Sequence, residues 1–188
     1  MKVTVYGGTN NKVYTPYQIK ACEKLGEHLG KIHADVLTGA CKGYPYYVGK
    51  AAIKSGSKVT GYSPAMNLDE HVKVYNFPTD GVTDLVFSKC LYETQSESFL
   101  RRSMDMTPFS DVVIAMGGSW GTFSELIMSF MLHRTIILVE EFDGAVTAFE
   151  DAYEFFGKRD INPAVHNGAK IIRVKTVDDA ISEMSKLS

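Results

Sequence analysis

Short apolar runs alternate with longer amphipathic segments along the whole chain. Continuous apolar runs predict buried strands, and apolar positions spaced three and four residues apart predict helices. The predicted strands span 2–6, 35–39, 57–64, 84–88, 111–116, 134–140 and 170–174. The predicted helices span 15–32, 46–55, 89–107, 120–133, 145–156 and 177–187. The polar stretch between 65 and 82 is irregular, with one short strand predicted at 72–77.

The strands lack the strict alternation that is typical of a half-exposed sheet. The run "RTIILVE" at 134–140 is apolar almost throughout, as in parallel sheets covered by helices on both faces. The regular alternation with helices therefore predicts an α/β fold: three-layer, Rossmann-like and doubly wound, with a mainly parallel sheet. No repeat, low-complexity tract or linker interrupts the pattern, so residues 1–188 are predicted to be a single Rossmann-like nucleotide-binding domain.

Composition narrows the class of partner. The formal net charge is −2 and the basic residues are scattered, which does not favour a nucleic-acid partner. Three cysteines without a CxxC pair favour the reducing cytoplasm over a disulfide framework. No window approaches the roughly 18 apolar residues of a membrane span. We therefore expect a cytoplasmic protein that binds neither nucleic acid nor membrane.

Three predicted strands end in glycine turns, at 6–10, 38–43 and 116–122. A glycine turn that leads into a helix presents unpaired N–H groups in front of the helix dipole, which suits phosphate. The carboxyl ends of parallel strands lie at one edge of the sheet, so the three turns are expected to line one crevice. The alternative is that each turn serves only a tight connection. Neither GxxxxGK[ST] nor a GxGxxG fingerprint with its acidic partner is present.

Several residues near the third turn have more than one interpretation. Glu125 lies close to the start of the following helix, where it either complements the helix dipole or points into the crevice. Trp120 is predicted to be a hydrophobic anchor, with base stacking or a dimer contact as alternatives. The apolar segment 126–132 is either core or a subunit contact. Cys41 is predicted to be an inert or exposed thiol, although a helix start can lower a thiol pKa.

The stretch "GGSWGTFSE" at 117–125 resembles the PGGxGTxxE motif of the LONELY GUY family. In this alignment Gly117 stands at the position of the proline, and Gly118 and Ser119 stand at the two glycines. The remaining motif positions are occupied by Gly121, Thr122 and Glu125. Segment 36–64 resembles the family's strand, glycine turn, helix and GxxP segment, and "RRSMDM" places Arg102 at the family arginine and Ser103 at the family lysine. The resemblance covers roughly 1–140 and is strongest to the branch that contains molybdenum-cofactor carriers.

The resemblance implies a function. Hydrolases of the family cleave the N-glycosidic bond of AMP or cytokinin nucleotides and release free base and ribose 5-phosphate, with no metal or organic cofactor. The resemblance therefore implies that this chain is a nucleoside 5′-monophosphate phosphoribohydrolase with Glu125 and Arg102 as catalytic residues. It also implies a homodimer or a larger homo-oligomer. The alternative is a non-catalytic protein that binds or carries a nucleotide or a molybdopterin-type cofactor. Ser103, at the position of the family lysine, favours that alternative.

The predicted ligand site combines the three glycine turns with this motif. No metal ligand is predicted, and the partner is a phosphorylated, nucleotide-like small molecule. Thr9 is grouped with the first turn, on the side of the base. The predicted ligand-binding and phosphate-binding residues are Gly7, Gly8, Gly39, Gly43, Gly117, Gly118, Ser119, Gly121 and Thr122.

Overall fold

A parallel sheet forms the centre of the protein in the computed structural model, which describes residues 1–8, 14–89, 94–159 and 168–187. Its seven strands are β1 (Lys2–Gly7), β2 (Asp35–Thr38), β3 (Val59–Tyr62), β4 (Asp84–Val86), β5 (Val112–Met116), β6 (Thr135–Val139) and β7 (Lys170–Val174). The strand order is β4-β3-β2-β1-β5-β6-β7, and every recorded pairing is parallel. The chain reverses its winding direction between β1 and β5, which opens a crevice at their carboxyl ends.

Helices cover both faces of the sheet. They are α1 (Pro16–Lys31), α2 (Tyr44–Lys54), α3 (Leu68–Lys73), α4 (Gln95–Met106), α5 (Trp120–Met131), α6 (Ala145–Gly157) and α7 (Val177–Leu187). One core cluster joins the sheet to α1, α2 and α7, and the other joins it to α4, α5 and α6. The predicted doubly wound α/β fold is confirmed. None of the described helices combines the length and the apolarity needed to cross a bilayer.

Capping residues explain where two helices begin. The Thr15 hydroxyl accepts a hydrogen bond from the Gln18 amide at 3.2 Å, and the Gln18 side chain accepts one from the Thr15 amide at 3.1 Å. Thr94 and Glu97 form the same capping box in front of α4. This second box starts α4 at Gln95, later than the start predicted at 89. Residues 90–93 of that predicted helix lie outside the described part of the chain.

The short strand predicted at 72–77 is wrong, because α3 occupies the start of this segment. Asn67 caps α3 by accepting a hydrogen bond from the Glu70 amide at 2.9 Å. The valines that suggested a strand, Val72 and Val74, are exposed and belong to no strand of the sheet in the described part of the chain. Local capping therefore outweighed a weak apolar pattern.

We predict that Gly26→Ala destabilises the protein, because α1 packs against α2 at this position. A Cβ on Gly26 would lie 2.7 Å from the Ala51 Cβ and would overlap the Val48 carbonyl oxygen. Overpacking of this kind costs about 1–3 kcal/mol, although alanine is by itself the better helix former. Urea denaturation measures the change in the free energy of unfolding.

The matched control is Gly121→Ala, because a Cβ on Gly121 in α5 meets no described atom within 4 Å. This variant is expected to be at least as stable as the wild type. Equal stabilities for Gly26→Ala and the wild type would contradict the packing described for α1 and α2.

Candidate functional site

A solvent-open cavity of about 200 Å³ lies at the carboxyl ends of β1, β2 and β5. All three predicted glycine turns reach it, through Gly7 and Gly8 after β1, Gly39 after β2, and Gly121 in the first turn of α5. Arg102 of α4 and Glu125 of α5 also belong to its wall. The crevice at the switch point of the sheet therefore brings together residues from four segments.

Glu125 presents its two carboxylate oxygens to different surroundings. The residue is only 6% exposed. Its Oε1 lies 3.4 Å from Nη2 of Arg102 and accepts a hydrogen bond from the Ser103 hydroxyl at 2.7 Å. No described residue donates a hydrogen bond to Oε2. One oxygen is therefore held by the protein, and the other is left for a ligand or a water molecule.

Burial dominates the protonation equilibrium of Glu125. Desolvation raises the pKa of this carboxyl above its ordinary value, while the charge of Arg102 and the hydrogen bond from Ser103 act in the opposite direction. A carboxylate with a raised pKa is a stronger base than an exposed one. Glu125 is thereby suited to exchange protons closer to neutral pH than an ordinary glutamate.

Arg102 points into the protein instead of into solvent. Its Nη1 donates a hydrogen bond to the Gly39 carbonyl oxygen at 2.8 Å and lies 3.8 Å from the Cys41 sulfur. A Cβ on residue 39 would overlap this guanidinium nitrogen. The absence of a side chain at Gly39 thus makes room for Arg102. This packing explains why glycine stands at position 39, and no bound phosphate is needed for the explanation.

The amino-terminal end of α5 is open towards the cavity. Ser119 is the N-cap, but its side chain makes no capping hydrogen bond. The amides of Trp120, Gly121 and Thr122 belong to the first turn, and no described residue accepts a hydrogen bond from them. By contrast, the Gly8 carbonyl accepts from the first amide of α2 at 3.2 Å. The start of α5 therefore offers several unpaired donors to an anion.

The other predicted ligand residues lie at different places. Ser119 and Thr122 line the cavity, and the Thr122 hydroxyl donates to the Gly7 carbonyl at 3.4 Å. Gly43 is the N-cap of α2, and neither it nor Gly117 lines the cavity. Gly118 lines a neighbouring cavity of about 190 Å³. Thr9 lies outside the described residues.

The neighbouring cavity shares Gly8 with the first one and has aromatic walls. The rings of Tyr44 and Phe142 meet edge to face with centroids 4.8 Å apart. Tyr14 approaches Tyr44 in the same way at 4.9 Å. The aromatic wall of this cavity is thus built from residues of several segments.

The structure adds residues to the site that the motifs did not single out, among them Tyr6 and Phe99. Phe99, Arg102 and Ser103 stand at helical positions i, i+3 and i+4, so they share one face of α4. That spacing is a signal from which Phe99 could have been found once Arg102 was chosen. Tyr6 lies near the end of β1, on the sheet face that α4, α5 and α6 cover.

Cys41 and Trp120 have very different surroundings. The Cys41 thiol is buried, and burial raises its pKa although Arg102 opposes this effect. An unreactive thiol therefore fits its surroundings. Trp120 is 85% exposed and its ring contacts the Phe123 ring, so it is not buried within its own chain, and its role as a hydrophobic anchor stays a prediction. Among the described residues, no group of three potential metal ligands lies together.

A family model described as SLOG cluster4 matches residues 1–181. The chain belongs to the SLOG cluster4 family. This family is LOG-like, so the resemblance drawn from the 117–125 motif is confirmed. A comparison with curated proteins finds no match.

Solved structures share the fold of this SLOG protein. The crystal structure of TM1055 is 21% identical, covers 98% of both chains and superposes with a TM-score of 0.77. The molybdenum cofactor binding protein of Rippkaea orientalis is 20% identical over 99% of this chain and 96% of its own, with a TM-score of 0.67. DNA processing protein A of Helicobacter pylori is 16% identical over 99% and 80%, with a TM-score of 0.67. At these identities the likeness concerns the fold.

We predict strong energetic coupling between Arg102 and Glu125 in this SLOG protein. Arg102→Met leaves a buried carboxylate without its counter-charge, which lowers the free energy of unfolding by about 3–5 kcal/mol at neutral pH. The double variant Arg102→Met/Glu125→Gln is expected to lose less than the sum of the two single variants. Chemical denaturation of the four proteins measures the coupling.

The exposed pair Arg101 and Asp105 on α4, 3.2 Å apart, provides the control. The same cycle with Arg101→Met and Asp105→Asn is expected to give a coupling below about 0.5 kcal/mol. Equal coupling in both cycles would contradict the burial assigned to the inner pair.

Proposed function

We propose that this SLOG protein hydrolyses the N-glycosidic bond of a nucleoside 5′-monophosphate of the AMP or cytokinin type. The products are free base and ribose 5-phosphate. The observation that carries this proposal is the free Oε2 of Glu125, which shares a cavity with the open amino-terminal end of α5. The anion site matches the 5′-phosphate of a phosphoribosyl group, and the carboxyl group of Glu125 matches its C1′ end.

In this proposal the 5′-phosphate binds to the first amides of α5. The amides of Trp120, Gly121 and Thr122 donate hydrogen bonds, and the helix dipole favours the negative charge. The space beside Gly121 lets the phosphate approach the backbone closely. Phosphate binding then needs no lysine, which agrees with serine at the position of the family lysine.

Glu125 carries the chemical step of the proposal. Cleavage of the ribose–base bond develops positive charge at C1′, which the ionised carboxylate stabilises. Oε2 takes a proton from the attacking water as its oxygen bonds to C1′, and the departing base gains a proton from solvent at the open mouth of the cavity. Arg102 contacts Oε1 and serves as a positioning residue that holds the carboxylate.

A second candidate is a protein that binds or carries a nucleotide or a molybdopterin-type cofactor without turnover. The inward orientation of Arg102 favours it, because Nη1 and Nη2 are engaged by Gly39 and Glu125. In that case the same amides hold the phosphate of the ligand, and Glu125 contributes a polar wall. The two candidates differ only in the fate of the bound molecule.

We also propose that the protein is a cytoplasmic homodimer whose partner molecules are small. An apolar face made by α4, α5 and the residue after α5 carries exposed side chains, of which Leu100 also lines the cavity. Exposed apolar patches of this kind mark interaction sites. The residues of this apolar face are Leu100, Met104, Trp120, Ile127, Met131 and Leu132.

We predict that Glu125→Gln strongly slows nucleotide hydrolysis while the fold is retained. Loss of a general base lowers the rate about 10²–10⁴-fold. Because the ionised carboxylate is the reactive form and its pKa is raised, the wild-type rate should rise with pH through a midpoint above that of an ordinary glutamate. Mass spectrometry of a nucleoside 5′-monophosphate panel measures the released base.

Asp105→Asn removes an exposed carboxylate from α4 and serves as the control, with wild-type rates expected. A wild-type protein that releases no base from any nucleotide would overturn the hydrolase proposal. Saturable binding without product, retained in Glu125→Gln, would instead support the carrier.

We predict that Met131→Glu weakens the homodimer. Met131 is 60% exposed on the apolar face, so a carboxylate there would be buried without a partner on association. Sedimentation velocity should show a shift towards monomer for this variant. Met66→Glu, at another exposed methionine, should sediment like the wild type. A monomeric wild type would refute the proposed assembly.

A further inference from the structure

The Ser103 hydroxyl lies between two acceptors but has only one proton. Its Oγ is 2.7 Å from Oε1 of Glu125 and 3.2 Å from the carbonyl oxygen of Phe99, one helical turn earlier in α4. A hydroxyl is one donor with two acceptor lone pairs. It therefore donates to Glu125 or to Phe99 at any moment, but not to both.

The protonation state of Glu125 decides between these two arrangements. An ionised carboxylate is acceptor-only, so the hydroxyl donates to Oε1 in a charge-assisted hydrogen bond. Oε1 faces the donors of Arg102 and Ser103, so a proton binds at Oε2, and Oε1 then becomes a neutral carbonyl oxygen and a weaker acceptor. The serine proton is then free for the Phe99 carbonyl, which is the usual acceptor of a serine inside a helix.

We propose that Ser103 is a positioning residue that reverses the direction of its donated hydrogen bond, from Oε1 of Glu125 to the Phe99 carbonyl, when Glu125 is protonated. The ionised carboxylate is thereby held by the hydroxyl, and the acid form is released from it. A lysine ammonium at this position has three donors and would not have to choose between the two acceptors. The catalytic use of the reversal rests on the proposed hydrolysis, whereas the reversal itself does not.

The groups that face Glu125 from other elements do not compete in this titration. Arg102 of α4 remains charged, as guanidinium groups in proteins do. Tyr6 of β1 shares a hydrogen bond of 2.8 Å with Thr107, and burial raises the pKa of its hydroxyl. The Cys41 thiol, in the loop after β2, donates to the Gly39 carbonyl at 3.1 Å, and burial raises its pKa too. In this proposal Glu125 is the member of this group that changes charge.

The experiment follows two carbon nuclei during a pH titration of the full chain without substrate. The protein carries ¹³C at glutamate Cδ and at phenylalanine carbonyl carbons, with signals assigned through Glu125→Gln and through ¹⁵N labelling of Leu100. The Phe99 carbonyl shift is expected to titrate with the midpoint of Glu125. In Ser103→Ala the Phe99 response should disappear and the Glu125 midpoint should move upward. Ser103→Thr keeps a hydroxyl and should preserve the response.

Ser129→Ala is the matched control. The Ser129 hydroxyl is also buried, but it donates to the backbone carbonyl of Glu125 at 2.8 Å and makes no contact with the carboxylate. This variant should leave the Phe99 response intact. A Phe99 carbonyl shift that stays constant while Glu125 titrates would overturn the inference, as would a response that persists in Ser103→Ala.

The titration separates this inference from the hydrolase proposal. A Phe99 response in a protein that cleaves no nucleotide would support the hydrogen-bond reversal and reject the hydrolysis. Hydrolysis with a constant Phe99 shift would do the opposite. Where hydrolysis is found, Ser103→Ala should also move the midpoint of its pH profile upward, a change that a purely structural role for Ser103 would not produce.

Discussion

The site depends on one buried contact, in which the Arg102 guanidinium lies between the Gly39 carbonyl and the Glu125 carboxylate. Removal of two charges from water costs several kcal/mol for each ion, so such a pair persists only where further hydrogen bonds satisfy it. Here Gly39 supplies an acceptor and Ser103 supplies a donor. The contact links α4, α5 and the end of β2, and it thereby sets the orientation of the carboxylate in the cavity.

The helix ends around the crevice are not equivalent. The first amide of α2 donates to Gly8, and the first amide of α6 donates to Gly118 at 3.1 Å. The first turn of α5 has no such acceptor among the described residues. This asymmetry concentrates unpaired donors on the side where Glu125 lies. It therefore supports a ligand that carries both an anionic group, for the donors, and a group that develops positive charge, for the carboxylate.

Much of the fold was predictable because its determinants are local. Each strand of the sheet was found from an apolar run, and the first helix from a threonine cap followed by proline. The errors arose where local signals were weak or in conflict. An exposed pair of valines suggested a strand where Asn67 starts a helix, and the capping box at Thr94 set a helix start that the apolar pattern could not show.

The sequence by itself determined the α/β architecture, the three glycine turns at strand ends and the family motif around Glu125. Only the tertiary structure decided that Gly39 accommodates an arginine, that Gly43 and Gly117 do not line the cavity, and that Ser103 contacts Glu125. The physical reason is the distance along the chain. Arg102 and Gly39 are 63 residues apart, and their contact exists only because the fold brings the loop after β2 next to α4. Periodicity and capping act over a few residues and contain no record of such contacts.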